Sequence, residues 1–468
     1  MDRAFPPRPW SRLGLLALAL GVACGWKVNP GPAPLVTAQQ VPVLVSPASH
    51  ETPELVVELR AGSAYDPVGR EGLAFQTALA SRYAGTATRT PDQVSEALRS
   101  WGATLKVDVG RERVAFRLSV PAEHLVEAAG LLADLVAAPV LDVATVNRAK
   151  FDGLELSPAT SMAPPELAAL LCRRLTYDGH PYGHPTVGRP ATANLVSELD
   201  VAQFREQRYL RSVVAAGVGG LPEGSPEAAA AAEALRVGLE RLPPRLSRDV
   251  TPRLPPTPEA RSVVLVSQQK WSQDAASLGQ SLDLRWSDPD GAALLVAVHA
   301  LDRRLTDAVR AQARWVDAFT TVQGELRIDL ALGPEDTAAL PKTLRVLELF
   351  AQDGVEPWEL DGARADVLAG LKSPAEARDW ALSAQLLGVP DPAVALPPRL
   401  EALTPASVNA AIARWIHPER LSIAVVAREP EVYRAAFIEE TGASGVQAGG
   451  YALGVKTLTV VSDEELNP

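Results

Sequence analysis

Apolar and polar positions along this chain form two successive blocks with a similar order of periods. In the first, Leu55-Val56-Val57-Glu58-Leu59 is a continuous apolar run of strand length. Leu73, Ala74, Ala78 and Leu79 then recur at helical spacing. Thr90-Pro91-Asp92-Gln93 is a capping box with Pro at the first helical position, and the helix it opens has Val94, Ala97, Leu98 and Trp101 as its inner face and ends at Gly102. Leu105, Val107 and Val109, then Val114, Phe116, Leu118 and Val120, alternate with polar residues around Gly110-Arg111-Glu112, the pattern of a hairpin. Helical spacing returns from about Ala122 to Ala137, from about Asp142 past Lys150, and over Leu167 to Leu175. A helix carrying Phe204 and Tyr209, the strand Val213 to Val218 and an Ala-rich helix from Glu227 to Leu242 close the block.

The Pro-rich stretch from Pro243 to Pro258 cannot continue a helix and predicts an extended connector. Beyond it the order begins again: a strand at Val263-Val264-Leu265-Val266, another near Leu282-Asp283-Leu284, and a long helix opened by Asp288-Pro289-Asp290. The alternating strand Leu326 to Leu330, a helix from about Glu335 to Gln352 and another opened by Pro357 follow. The block closes with Ile412, Trp415 and Ile416, the strand Leu421 to Ala427 and an edge strand at Leu458 to Val461. The parallel order is the pattern of a weak internal duplication.

At 468 residues and 47% hydrophobic, the chain has material for two cores. Its net charge of −11 and lack of a basic tract set nucleic acid aside as a partner. Arg3, Arg8 and Arg12 precede the short apolar run Leu13 to Ala23, the layout of a secretory signal. Leu20-Gly21-Val22-Ala23-Cys24 resembles a bacterial lipobox, which makes Cys24 the lipidation site and membrane anchor. The alternative is an ordinary signal peptide cleaved near Ala23 and a secreted protein. Gly25 after Cys24 resembles the outer-membrane lipoprotein pattern, on the periplasmic side. Cys172, in an apolar helix with no partner cysteine left for it, reads as a small buried hydrophobe.

Gly62-Ser63-Ala64-Tyr65-Asp66-Pro67-Val68-Gly69-Arg70-Glu71-Gly72-Leu73-Ala74, with Gly85-Thr86 beyond it, resembles the frame around the zinc motif of pitrilysin/insulinase-type inverzincins, a family that includes the mitochondrial processing peptidases. His180-Pro181-Tyr182-Gly183 resembles a second segment of that family. The resemblance covers about Leu55 to Ala427. It implies an α+β fold of two similar halves forming a half-clam, each an antiparallel-rich sheet with helices packed on one face. The expected division is signal peptide 1–23, lipid-anchored tether 24–45, first domain 46–242, linker 243–259 and second domain 260–468.

In that family two histidines four apart and a glutamate beside the second hold and serve zinc on one helical face. Here those positions fall on Phe75, Ala78 and Leu79, and the third ligand falls on Leu156, one residue past Glu155. A one-residue offset rotates a side chain by about 100 degrees on a helix, so Glu155 points elsewhere. The family's substrate-holding Arg/Tyr pair falls on Arg310 and Asp317, and an ionised Asp accepts hydrogen bonds where a phenol would donate one. His180 and His184 are separated by Pro181 and Gly183, which argues for a structural loop rather than a metal pair. His50, His124, His299 and His417 lie on unrelated elements, so an active hydrolase with displaced ligands is disfavoured.

The reading is a non-catalytic metallopeptidase homologue with no cofactor, zinc being expected of the family but unsupported by these residues. It is expected to pair at the bacterial envelope with an active zinc-bearing homologous subunit and to complete that subunit's cavity for unfolded peptides. The alternative is an envelope scaffold or peptide-binding lipoprotein with no proteolytic role.

Overall fold

The computed structural model describes residues 40–47, 52–155, 162–244, 261–333, 338–371, 373–430, 432–433 and, as backbone, 455–462. The first half contains β1 (Val43–Pro47), β2 (Glu54–Leu59), α1 (Leu73–Tyr83), α2 (Pro91–Ser100), β3 (Thr104–Val109), β4 (Val114–Ser119), α3 (Leu125–Ala137) and α4 (Val143–Glu155). It continues with α5 (Pro164–Thr176), α6 (Pro190–Ala193), α7 (Glu198–Arg208), β5 (Val214–Leu221) and α8 (Pro226–Leu239). The second half runs β6 (Arg261–Ser267), β7 (Asp274–Ser281), α9 (Gly291–Val309), β8 (Gln312–Val316), β9 (Glu325–Leu332), α10 (Ala339–Asp353) and α11 (Pro357–Gly370). Then come α12 (Pro374–Leu387), α13 (Pro392–Glu401), α14 (Pro405–Trp415), β10 (Ser422–Ala427) and β11 (Val455–Ser462).

The duplication is visible in the sheets. The first has the order β1-β5-β2-β4-β3 and the second β6-β10-β7-β9-β8, with β11 added outside β6. In both, the first pair is parallel and the remaining three are antiparallel. The fold is therefore the expected α+β arrangement of two similar halves. Three boundaries differ from the sequence reading. The tether expected to reach residue 45 is already strand from Val43, because β1 pairs with β5. The strand expected at Leu282-Asp283-Leu284 lies earlier, at Asp274–Ser281, and Leu282 and Leu284 are buried just beyond its end. The helix expected from Glu335 is regular from Ala339.

Strand alternation divides each sheet between two layers. Leu55, Val57 and Leu59 of β2 face the core of the first half, whereas Val56 joins Ala215 of β5 under Leu382 and Leu386 of α12. In the second sheet, Val263 and Leu265 face their own core, and Val264 and Val266 pack with Ala275, Ala424 and Val426 against Leu167, Ala168, Leu171 and Cys172 of α5. Each half thus covers one sheet face with its own helices and lends one helix, α5 or α12, to the open face of the other.

Close approach of the lent helix depends on the strand beneath it. A Cβ at Gly279 of β7 would stand 2.8 Å from Cys172 Sγ and 2.9 Å from Thr176 Oγ1. Gly279→Ala is therefore expected to destabilise the chain by about 1–3 kcal/mol through overpacking, and adding Cys172→Ala should recover part of that loss. Urea unfolding of the two variants checks this; an unchanged midpoint for Gly279→Ala would mean that α5 yields without cost. Cys172 is buried at this seam, and its thiol donates to Ser422 O of the other half at 3.4 Å. Burial pushes that thiol up to about 12.

A candidate site between two hairpin tips

The frame around α1 is built by packing and hydrogen bonds that need no metal. Gly72, the N-cap of α1, has φ 102, and a Cβ there would stand 2.6 Å from Val187 O. Glycine meets both demands. Asp66 accepts from the backbone N–H groups of Gly72 (2.8 Å) and Ala74 (2.7 Å), tying the turn to the first turn of the helix. The frame positions a helix whatever that helix carries.

Burial pushes the Asp66 carboxyl up to about 8, against the pull of those two donors. In the unfolded chain the same group titrates near 4. The folded state then binds more protons between these values, so stability contributed by protonated Asp66 is present at low pH and lost as pH rises toward 8. Asp66→Asn is expected to flatten that fall. Urea midpoints of wild type and variant at pH 5 and pH 9 test it, and parallel profiles would contradict it.

On α1, Ala78 is fully buried and Leu79 nearly so. Phe75 is half-buried, its ring atoms 3.5 Å from where a Cβ on Gly153 of α4 would stand. Gln76, fully buried beside it, donates from Nε2 to Ala193 O at 2.8 Å. The helix pair α1–α4 is therefore joined by apolar packing where the resemblance implies ligands. Leu156 lies outside the described residues, as do Cys24 and His50. Zinc requires nitrogen, sulfur or carboxylate donors. Phe75, Ala78 and Leu79 supply none, so this face does not fit the metal. Among the described residues no group of three or more His, Cys, Asp or Glu side chains is placed to hold a metal ion. His180, mostly buried, accepts at Nδ1 from Tyr182 N (3.1 Å), which gives the histidine loop a structural role.

Phe75 does line a cavity of about 360 Å³. Its other walls are Val107 to Arg113, the tip of the β3–β4 hairpin, and Asp317, Thr320 and Thr321 from the connection between β8 and β9. Because β3–β4 and β8–β9 occupy equivalent places in the two sheets, the cavity sits where two equivalent hairpin tips meet. Asp317 thus shares one cavity with Phe75. Arg310 does not: it is exposed at the left-handed C-cap of α9, outside the cavity lining.

A buried charge network, which sequence reasoning missed, joins the tips. Arg111, 3% exposed, places Nη2 at 2.6 Å from Glu325 Oε2 and Nε at 3.4 Å from Asp317 Oδ2. Its guanidinium also lies over the rings of Tyr177 and Tyr182, at 5.0 and 5.1 Å. Burial alone would raise the Glu325 carboxyl, but the guanidiniums of Arg111, Arg173 and Arg327 outweigh it and hold it below the usual range. Next to Arg111, fully buried Glu112 accepts from Tyr182 Oη and, at 3.1 Å, from Val322 N of the second half. Burial raises the Glu112 carboxyl. Tyr177 Oη donates to Gly324 O at 3.3 Å. The only sequence signal is the charged Arg111-Glu112 pair between the two strands of the predicted hairpin.

A second cavity, also about 360 Å³, lies between Asp66, the histidine loop and Leu167, Leu170 and Leu171 of α5.

Residues 43–188 match the insulinase family, peptidase family M16. No curated protein sequence matches the chain. Among solved structures, it is similar to a peptidase M16 inactive domain from Pseudomonas fluorescens, with TM-score 0.70 and 22% identity over 83% of this chain and 96% of that one. A protease from Helicobacter pylori is similar with TM-score 0.69 and 13% identity, over 83% of this chain and 97% of that one.

Proposed function

We propose a role for this chain on the premise that it is a degenerate member of the insulinase family, peptidase family M16: it is a non-catalytic subunit that pairs with an active, zinc-bearing homologue and completes the cavity in which unfolded peptides are held. The observation that carries this reading is the apolar face of α1, where Phe75, Ala78 and the buried Leu79 stand in place of metal donors while the Asp66 and Gly72 frame persists. The inactive Pseudomonas fluorescens domain is a precedent for the same fold without activity. A lipid at Cys24 would hold the subunit at the bacterial envelope, on the periplasmic side of the outer membrane; without it the protein would be secreted.

A second reading, an envelope scaffold or peptide-binding lipoprotein, is favoured by one feature. Asp317 stands where the family's substrate-holding Tyr is expected, and its carboxylate is engaged with Arg111 rather than offered to a ligand. Purification of the tagged chain from its native host in mild detergent separates the two. Recovery of a zinc-containing homologue, with peptidase activity in the complex and none in the isolated chain, supports the paired subunit. A chain that emerges alone and inert supports the scaffold, and stoichiometric zinc in the isolated chain overturns both.

A further inference from the structure

Among the described residues, two non-glycine residues have positive φ: Arg310 at 57° and Asp317 at 59°. They bracket β8, an edge strand that pairs only with β9. Left-handed backbone at residues other than glycine carries a conformational cost and persists where surrounding contacts impose it. At Asp317 those contacts are visible. Its carbonyl accepts from Thr320 N (3.1 Å), Thr321 N (3.2 Å) and Thr321 Oγ1 (3.1 Å), and its carboxylate meets Arg111 Nε of the opposite hairpin at 3.4 Å. At Arg310 the cap N–H donates to Thr306 O, and the side chain is exposed.

We propose that the turn from Asp317 to Thr321 is a strap held between β8 and Val322, and that the ion pair between Asp317 and Arg111 is the latch that holds it against the first half and keeps the cavity beside Phe75 narrow. Asp317, Thr320 and Thr321 form the second-half wall of that cavity, so release of the latch lets the wall move away from Val107 to Arg113. Arg111 keeps its shorter contact to Glu325 when Asp317 leaves, so the guanidinium remains paired in both positions of the strap. β8 itself stays paired with β9 along its length, with Trp315 mostly buried, and Val322 N stays bonded to Glu112, so the turn between them is the moving part. This inference goes beyond the paired-subunit reading and stands without it.

Hydrogen exchange of the full chain, read by mass spectrometry, tests the latch with two substitutions. Asp317→Asn removes the charge but keeps a side chain that tolerates left-handed backbone. Asp317→Gly removes the charge and also the backbone cost. Both are expected to speed exchange across 317–321 and 107–113 by about fivefold, the factor carried by one partly exposed ion pair, while β5 exchanges as in the wild type. A wild-type rate in Asp317→Asn overturns the latch. So does tight exchange in Asp317→Gly, which would make backbone strain the cause, or an equal acceleration in β5, which would report global loosening.

Discussion

Arg111→Ala is expected to destabilise the chain by about 3–5 kcal/mol, the range for removing one partner of a buried ion pair. Glu325, only 2% exposed, would lose its 2.6 Å partner and keep Arg327 at 3.5 Å as its nearest remaining cation. The Tyr177 and Tyr182 rings would lose the cation stacked on them in the same step. Most of this cost is the loss of the shortest contact to a buried Glu325, so it should be reversible by design. Arg111→Met combined with Glu325→Leu removes both charges and should regain most of the stability. Urea unfolding of the two single variants and the double provides the cycle. A loss under about 1 kcal/mol in Arg111→Ala would mean that water enters the seam and solvates Glu325.

Placing the metal motif of insulinase-type peptidases on α1 should fail structurally before it can bind metal. Phe75→His, Ala78→Glu and Leu79→His together would recreate the ligand spacing on α1, but Ala78 is fully buried. A glutamate there adds four heavy atoms beyond Cβ to a filled space and buries a carboxylate whose one cationic neighbour on α1 is the half-buried Arg82, one turn on. Ala78→Glu alone is expected to cost roughly 3–5 kcal/mol. Phe75→His, at a half-buried cavity wall, should cost about 1–2 kcal/mol. Thermal unfolding with and without added zinc distinguishes the outcomes. A triple variant that folds and is stabilised by zinc would show that α1 and α4 can still separate to accommodate a ligand set.

The sequence made the elements legible where period and chemistry agreed. The capping box at Thr90 and Gln93, the hairpin of Leu105 to Val120 and the frame ending at Ala74 were read from local signals, and each forms as read. The strand β7 was misplaced because Asp274-Ala275-Ala276-Ser277-Leu278-Gly279 lacks β-branched residues; tertiary pairing with β9 and β10 makes it a strand. Helix α12 was not foreseen because its buried positions serve the other half: Leu382 and Leu386 meet Val56 and Ala215, and Asp379 bonds Arg117 at 2.7 Å. The candidate site was legible only in part. The absence of metal donors at Phe75, Ala78 and Leu79 is readable from the motif, whereas the carboxylate partners of Arg111, Asp317 and Glu325, are more than two hundred positions away in sequence. No local pattern reports such a pairing; it becomes visible only when the two hairpin tips meet.

The lent helices also set the order in which this protein can be made. The first sheet is complete in sequence once Leu221 has been synthesised, yet the face of Val56 and Ala215, with Glu54 and Glu58 beside it, waits for α12, which ends at Leu387. At ribosomal rates of about 5–20 residues per second, that interval is on the order of ten seconds or more. During it the nascent first half presents an uncovered sheet face and the helix α5, whose partner sheet lacks β10, the strand between β6 and β7, until after α12 is made. Neither half is a finished product on its own, and the emerging chain is a client for whatever holds unfinished polypeptides in solution.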